Sequence, residues 1–404
     1  MFQTEFETMI EYLIGIIIGI LFGIITGLTP GVHINLVSVL LLSVSSFLLG
    51  FTSPLVMAVV IISMGVTHTF LDSIPSVFLG APDPDTVMAV LPGHKLLFEG
   101  KGWDAVRLTV IGSLLCLIFA IILMPLFAFI FPLIYSFLKP ILGWILVLIV
   151  LIMLIKDSEK KWALLVFVFS GILGLIVLNS EITQPLFPML SGMFGVSALL
   201  LSLSNSVEIP LQTAEETIDV SGKDFLAIIG GAISGSFVAL FPGLGAAQAA
   251  ALSTIVFKIK EYAYLILVGG INTVNFVIAL VSVYTISKAR NGAIAVVMEI
   301  ITEIDVTRLV FFSAIVLIVG GIATVLALKI AKGFAVVIEY VDYKWISLGI
   351  IGFITILSLV LSGWIGLIVL VISTAVGVIP QLSGCCRSNA MGCLLLPVIV
   401  FYIL

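Results

Sequence analysis

Two Pro-Gly pairs are the residues in this sequence whose placement most clearly suggests chemistry. Pro30-Gly31 lies within the apolar residues 12–49, and Pro242-Gly243 lies within the apolar residues 225–257. Each stretch is too long for one membrane span, and no polar loop divides it in two. Proline removes a backbone N–H, whereas glycine permits turn geometry. We therefore predict two helical hairpins or broken helices whose tips meet inside the membrane.

Helices that begin at such tips would bind an anion without a basic side chain, because free N–H groups and the helix dipole point at the ligand. Irregular backbone at membrane depth is tolerated only inside protein or around a cavity. A proline kink between packed helices is the alternative for either break alone. The candidate substrate-binding residues are Thr29, Pro30, Gly31, His33, Asn35, Pro242, Gly243, Gly245, Gln248, Asn272 and Thr273.

An ionisable pair follows the first tip inside another apolar stretch. His68 and Asp72 are four residues apart, so a helix would place them on one face. Ionisable groups at membrane depth are costly and are functional candidates by default. We predict that His68, Asp72, Ser73 and the second-half residue Asn275 bind the coupling ion, either H⁺ or Na⁺. The alternative is that Asp72 caps a helix start or lies at the membrane interface.

Arg387 is the only charged residue after Lys344. Either it marks a membrane face under the positive-inside rule, or it is an internal cation that pairs with a substrate anion. In the second case Ser388 and Asn389 join it as candidate anion contacts.

The segment from residue 80 to residue 102 predicts a tight loop at 80–86 and an exposed loop further on. Asp85 or Thr86 would cap a helix that begins near Val87, and residues 92–95 (PGHK) and 100–102 (GKG) mark the exposed loop. Asp83 and Asp85 alone are too few ligands for a metal. We predict no metal and no other cofactor beyond the coupling ion.

Composition places these motifs in a membrane. Apolar residues make up 61% of the 404 residues and charged residues 10%, whereas soluble domains carry about 25% charge. Lipid must therefore surround most of the chain, which offers roughly ten to twelve apolar stretches. We predict an all-α, multi-pass protein of the cell membrane. The net charge of −5 is scattered without a basic run, so no nucleic-acid partner is expected.

The chain divides into two related halves. A polar linker, residues 206–223, separates a first transmembrane repeat, 1–205, from a second, 224–404. Four ordered matches join them: the Pro-Gly tips, GVTHT at 65 with GGINT at 269, GLIVL at 174 and 366, and PMLSG at 188 with PQLSG at 380. Paired halves are typical of secondary carriers, and we favour inverted repeats. Chance matches between apolar segments are the alternative.

In these motifs the chain resembles the large membrane subunit of tripartite tricarboxylate transporters, the TctA family. The resemblance rests on GIITGLTPGVHIN, on the segment from Ser73 to Leu108, on Gly192-Met-Phe-Gly195 and on FPGLGAAQAA. The first tip departs from the family's Leu-Pro-Gly-Leu-Gly-Pro, and the short length is similar to an archaeal-type branch. The resemblance implies carriage of small organic anions driven by a cation gradient. A small membrane subunit and an extracytoplasmic binding protein are family partners that we do not assume, and a homodimer is compatible with the sequence.

Two other classes of function compete with a carrier of small anions. A polyprenyl-phosphate translocase could hold its phosphate at the same tips, with membrane lipid as its partner. An intramembrane protease is a poor fit, because Asp72 lacks a second aspartate in Gly-x-Gly-Asp and Gly235-Ser236 lacks a histidine partner. We therefore expect a permease and not an enzyme.

Overall fold

The computed structural model describes residues 2–30, 32–81, 85–204, 210–212, 225–240, 245–256, 261–339 and 343–403. Every regular element in these ranges is a helix. The helices of the first half are α1 Phe2–Leu28, α2 Ile34–Ser43, α3 Ser45–Leu48, α4 Pro54–Leu71, α5 Ser73–Phe78, α6 Val90–Phe98, α7 Gly102–Ile122, α8 Met124–Leu138, α9 Leu142–Lys156, α10 Lys160–Leu178, α11 Leu186–Leu190 and α12 Ser197–Ser204. Those of the second half are α13 Phe225–Val238, α14 Ala246–Val256, α15 Glu261–Ile286, α16 Gly292–Ile301, α17 Val306–Glu339, α18 Tyr343–Ser383 and α19 Gly392–Ile403.

Seven helices in the described ranges are long and apolar enough to cross a membrane, or eight if α8 and α9, bent by 82°, form one span. The seven segments are Met9–Leu28, Pro54–Phe78, Gly102–Ile122, Lys160–Leu178, Tyr262–Ile286, Val306–Ile338 and Ser347–Ser383. Large apolar side chains such as Phe129, Trp364 and Phe51 point outward and are three-quarters exposed or more. A water-soluble surface does not carry apolar area on this scale, so the predicted all-helical membrane fold is confirmed.

The sequence predicted more apolar stretches than there are long helices, and the difference has a structural cause. Several stretches form helices of 10–17 residues, among them α13, α16 and the C-terminal α19. Such helices are too short to cross the hydrocarbon region alone. Conversely, α18 would be roughly 60 Å long if straight, twice that thickness. It is broken at Gly363, whose φ of 65° is accessible to glycine.

Glycines bring the first helix against the core of the fold. Gly19, Gly23 and Gly27 recur every four residues along one face of α1, and this face packs on α4. A Cβ at Gly23 would lie 2.5 Å from Thr67 Cβ, so only glycine permits this approach. Such small-residue stripes allow close helix packing in membranes. The stripe holds the end of α1, and hence the first tip, beside α4.

Two nearly enclosed helices form the centre of the molecule. In an apolar 18-residue stretch of Pro54–Phe78, which contains α4 and α5, 89% of the residues are buried inside the protein. In a stretch of the same length within Tyr262–Ile286 of α15, 94% are buried. Helix α15 packs on α7 and α13, whereas α4 packs on α1 and α17. A central position with protein on all sides is where polar groups are tolerated at membrane depth. The predicted linker is described only at residues 210–212, and the repeat boundaries stay predictions.

A carboxylate outside the spans ties the C-terminal motif to the first half. Asp157, in the turn between α9 and α10, accepts hydrogen bonds from Glu159 N (2.9 Å), Cys386 N (3.0 Å) and Asn389 Nδ2 (2.7 Å). Burial alone raises the pKa of the Asp157 carboxyl, but these hydrogen bonds outweigh it and lower the pKa below its ordinary value of 3.8. The ionised form is therefore the one that stabilises the fold.

We expect Asp157→Asn to destabilise the protein by about 1–3 kcal/mol at pH 7, because charge-assisted hydrogen bonds are lost. A carboxyl group whose pKa is lowered by folding stabilises the folded protein fully at a pH above its unfolded-state pKa. This contribution is lost as the pH falls through the folded-state pKa. The gap in melting temperature between wild type and variant should thus shrink below about pH 4. Thermal unfolding in detergent from pH 7 to pH 3 measures it, and a gap that does not depend on pH would contradict this role.

Candidate functional site

The first predicted break is present. Helix α1 ends at Leu28 and α2 begins at Ile34, with the half-buried Thr29 and Pro30 between them; Gly31 lies outside the described residues. His33 caps α2, because its Nδ1 accepts a hydrogen bond from Asn35 N at 3.1 Å. The Asn35 side chain accepts a further hydrogen bond from Ala293 N (3.0 Å), at the start of α16. The tip is therefore held by two of its three predicted polar residues, His33 and Asn35.

The second break separates α13 from α14, and Pro242 and Gly243 lie outside the described residues. Gly245 N donates to Gln248 Oε1 at 2.9 Å, and Ala246 N donates to Asp85 Oδ1 at 3.3 Å. The sequence predicted that α14 begins with free N–H groups. These two are instead occupied by side chains of the protein itself, one of them a carboxylate from the other half.

A buried polar cluster lies beside the first tip, at the C-terminal end of α4 and in the middle of α15. Asp72, 1% exposed, accepts a hydrogen bond from Asn272 Nδ2 at 2.6 Å. His68 Nε2 lies 3.8 Å from the same carboxylate oxygen, and His68 Nδ1 lies 3.1 Å from Thr26 Oγ1. Asp72 is at the junction of α4 and α5 but caps neither with its side chain. The helical i, i+4 pairing of His68 and Asp72 is as predicted.

His33 connects the first tip to this cluster. Its ring centre lies 5.3 Å from that of His68, and its Nε2 lies 3.7 Å from Asp85 Oδ2. Asp85, His33, His68 and Asp72 thus form a row from the start of α14 to the buried junction of α4 and α5. A row of titratable groups at these separations can hold or move a proton, directly or through bridging water.

Hydroxyl groups form hydrogen bonds on the helix turns next to Asp72. Thr273 Oγ1 donates to Thr69 Oγ1 at 3.2 Å, and Thr109 Oγ1 donates to Ser73 Oγ at 3.0 Å. Ser76 Oγ donates to the Asp72 carbonyl at 2.9 Å. Hydroxyl and carboxylate oxygens are the ligands that hard cations use, so the same place could hold Na⁺.

The remaining predicted residues lie elsewhere. Within the described ranges no hydrogen bond joins Asn275 or Ser388 to the cluster, and Asn389 is held by Asp157. Arg387 is half-buried, and its Nη2 donates to Phe194 O (3.2 Å) and Ser197 Oγ (3.4 Å). Whether Arg387 marks a membrane face or is an internal cation stays a prediction.

Sequence reasoning missed or misplaced three residues near the site. Thr26 was not singled out, because a threonine near the end of a span carries no local signal. Asp85 was expected to cap the helix near Val87, yet it caps α14, 161 residues away. The predicted loop at residues 92–95 is wrong: these residues lie in α6, where apolar neighbours bury the glycine and histidine, and His94 is only 5% exposed.

Comparison with known proteins agrees with this architecture. The model of the Tripartite tricarboxylate transporter TctA family matches residues 13–392. The chain is also similar to the protein MJ1079 of Methanocaldococcus jannaschii, itself named as uncharacterized. The two are 29% identical over 389 residues, which cover 93% of this chain and 94% of the relative. No solved structure matches.

The family match extends over both tips, the buried cluster and the Gly192-Met-Phe-Gly195 element, and the relative is archaeal. The resemblance drawn from the motifs is therefore confirmed, and with it the expectation of a transporter rather than an enzyme. The chain belongs to the tripartite tricarboxylate transporter TctA family and is a membrane subunit of a transporter.

Proposed function

We propose that this protein is a secondary permease that carries a small organic anion, such as a di- or tricarboxylate, across the cell membrane. A proton or sodium gradient drives the transport. The anion binds where the tips of the two halves meet, and the cation binds at Asp72. Family membership supports the carrier, and the placement of two helix starts beside a buried carboxylate supports the location of the sites.

The observation that carries the proposal is the position of the Asp85 carboxylate. It accepts a hydrogen bond from Ala246 N at the start of α14 and lies 3.7 Å from His33, the cap of α2. A carboxylate of the protein thus already occupies the space between both tips. Backbone N–H groups and the positive end of a helix dipole favour any carboxylate there. A substrate carboxylate binds in the same way when Asp85 moves aside.

Coupling follows from the cluster behind the tips. His33 contacts both Asp85 and His68, and His68 lies next to Asp72. A cation that binds at Asp72 changes the charge that the row presents to the anion. Over such short separations inside a membrane protein, a change of one charge alters anion affinity strongly. Anion and cation therefore bind more favourably together than alone.

The alternative, a lipid-phosphate translocase, would need a path for a lipid tail to the tips. An open apolar groove of about 400 Å³ follows the outer side of α1, α2 and α4 and includes Ile18, Phe22 and Leu41. None of its lining residues belongs to the tips or to the buried cluster. The groove therefore does not favour the lipid alternative. A small membrane subunit and an extracytoplasmic binding protein are partners in the family's tripartite systems, and we do not assume either of them for this permease.

Uptake by proteoliposomes tests the proposal. The purified full-length protein should accumulate radiolabelled citrate or succinate when a proton or sodium gradient is imposed, and should not accumulate either without a gradient. A second set of vesicles contains a fluorescent polyprenyl phosphate, and its transfer between leaflets is followed by quenching. Transfer of this lipid without uptake of any carboxylate would replace the proposal by the lipid alternative.

Asp85→Asn should tighten anion binding, because it removes the carboxylate that competes for the start of α14. A neutral acceptor loses about 1–1.5 kcal/mol relative to a charged one, so the apparent dissociation constant for citrate should fall about tenfold. Binding is followed through the citrate-dependent shift in melting temperature.

Asp305→Asn is the matched control for this change. Asp305 Oδ1 accepts a hydrogen bond from Arg308 N (2.8 Å) at the start of α17, so it too is a carboxylate at a helix start. Its replacement should leave citrate affinity unchanged. Weaker citrate binding by Asp85→Asn would show that Asp85 organises the tip rather than competing for it.

A further inference from the structure

We propose that Arg387 and His94 form a second anion subsite, which binds a second carboxylate of the transported anion and so selects substrates with two negative charges. The inference rests on the proposed carriage of organic anions and adds to it the residues that determine specificity. Arg387 lies on a 3₁₀ turn, Arg387–Met391, between α18 and α19.

The first argument is the surroundings of the guanidinium group. Arg387 is half-buried, and its two hydrogen-bond acceptors, Phe194 O and Ser197 Oγ, are neutral and both contact Nη2. A guanidinium group has five N–H donors arranged for bidentate binding of a carboxylate. Among the residues that the structure describes, no carboxylate forms an ion pair with Arg387. A cation inside a membrane protein without an anion is costly, unless it binds a substrate.

Arg107 shows how this protein stabilises a structural arginine in a span. It lies 3.8 Å from Asp104, one turn away, and its guanidinium group is 5.4 Å from the centre of the Trp103 ring. Arg107 therefore has both an anionic partner and an aromatic face. Arg387 has neither of these in the described ranges. The contrast indicates that the anion for Arg387 comes from outside the protein.

The second argument is the unusual backbone that holds Arg387. Residues Ser191–Val196, which contain the Gly-Met-Phe-Gly element, form a π-helix. Single π-turns alter carbonyl pairing and are frequent at functional sites. Here the Phe194 carbonyl accepts from Arg387, and Gln381 Nε2 fixes the Ser197 hydroxyl at 3.3 Å. Both anchors act on one nitrogen, which leaves the rest of the guanidinium group for a ligand.

The third argument is His94, a buried polar side chain with an unused nitrogen. It is 5% exposed, and within the described chain its Nε2 has no hydrogen-bond partner. Its ring lies against Gly80, where a Cβ would be 2.6 Å from His94 Cε1 and 3.3 Å from a methyl group of Leu199. Leu199 lies two residues after Ser197 on α12, and Ser197 is one of the two hydrogen-bond acceptors of Arg387. His94 and Ser197 therefore both lie near the bend that follows α5. A neutral imidazole can donate one N–H to a carboxylate there.

The two subsites lie beside one helix. The turn that carries Arg387 packs on α14, and the start of α14 is where Ala246 N binds the Asp85 carboxylate. In the proposed arrangement, a dicarboxylate contacts the tips with one carboxylate and Arg387 with the other. A monocarboxylate can use one subsite only. Discrimination between the two classes then depends on Arg387.

Succinate and butyrate test the inference, because both have four carbons but differ in the number of carboxylates. Wild-type protein in proteoliposomes should transport succinate with a much higher kcat/KM than butyrate. Arg387→Gln should lower kcat/KM for succinate by about 10–100-fold, the range for a lost charged hydrogen bond. Butyrate transport by the same variant should change by less than about threefold. This change is smaller than the one expected from the loss of a charged hydrogen bond. His94→Phe, which keeps a ring but removes the N–H donor, should lower succinate transport about tenfold, again with little effect on butyrate.

Arg308→Gln is the matched control, since Arg308 also donates to backbone carbonyls, those of Ile301 and Glu303, but outside the site. Its succinate-to-butyrate ratio should equal that of wild type. If Arg387→Gln does not fold, Arg387→Lys and His94→Phe decide, each by a lowered ratio. An unchanged ratio in folded variants would overturn the second subsite and leave the proposed permease intact. Uptake of neither acid nor citrate by wild type would reject the permease, and the subsite with it.

Discussion

Asp72→Asn should abolish gradient-driven uptake while the protein still folds. The amide has the same shape as the carboxylate and can still accept the 2.6 Å hydrogen bond from Asn272. It cannot take up a proton, and it binds a cation poorly. We expect net uptake of citrate or succinate to fall by about 100-fold or more, the lower end of what losing a proton-transferring group costs.

The same variant should keep exchange. An uncharged residue at position 72 imitates the cation-loaded carboxylate, so the carrier can still move its loaded form in both directions. Counterflow of labelled against unlabelled substrate, without any gradient, should therefore remain within a few-fold of wild type, since it needs no change of charge at this site. Loss of exchange together with uptake would move Asp72 from coupling to anion binding or to folding. Normal uptake would make it structural.

Local patterns in the sequence were sufficient to predict part of the site. The break at Pro30 follows from the missing N–H of proline within an apolar stretch, and α1 and α2 confirm it. The pairing of His68 with Asp72 follows from helical geometry. Both depend only on neighbours in sequence, and both required no knowledge of the other half.

Contacts between the halves could not be predicted in this way. Asp85 binds Ala246 across 161 residues, and Asn272 binds Asp72 across 200 residues. Capping rules look only at the adjacent helix start, so they assigned Asp85 to the wrong helix. The π-helix at Gly192-Met-Phe-Gly195 was recognised only as a motif, because its pairing depends on the packing of α18 and the contact with Arg387.

The predicted duplication also concerns contacts between the two halves. The matched segments GVTHT and GGINT place Thr69 opposite Thr273 at an offset of 204, and these two hydroxyl groups are hydrogen-bonded at 3.2 Å. Equivalent residues meet in this way where a pseudo-twofold axis passes between repeats. The packing of α1 on α4 and of α13 on α15 follows the same pairing. The duplication itself, and whether it is inverted, stay predictions.

The second prediction with a large expected effect concerns the contact between α7 and α15. This contact supports the buried polar cluster, because α15 carries Asn272. A Cβ at Gly112 would overlap the Ile266 carbonyl, and a Cβ at Gly269 would overlap the Thr109 carbonyl. The two backbones therefore touch at adjacent points, as small residues allow in membrane helices. Gly112→Ala must separate the helices, and we expect it to destabilise the protein by about 1–3 kcal/mol or more.

Gly321→Ala should have the opposite sign. Gly321 is also a glycine within a long apolar helix, α17, but a Cβ there meets no atom within 4 Å. Replacing a helical glycine with alanine in open space stabilises by up to about 1 kcal/mol, because the unfolded chain loses conformational freedom. The two variants add the same methyl group, so intrinsic helix propensity cancels in the comparison. Thermal unfolding in detergent should thus show Gly112→Ala well below wild type and Gly321→Ala at or above it. Equal melting temperatures would mean that α7 and α15 do not meet at Gly112, and the position of Asn272 beside Asp72 would lose its support.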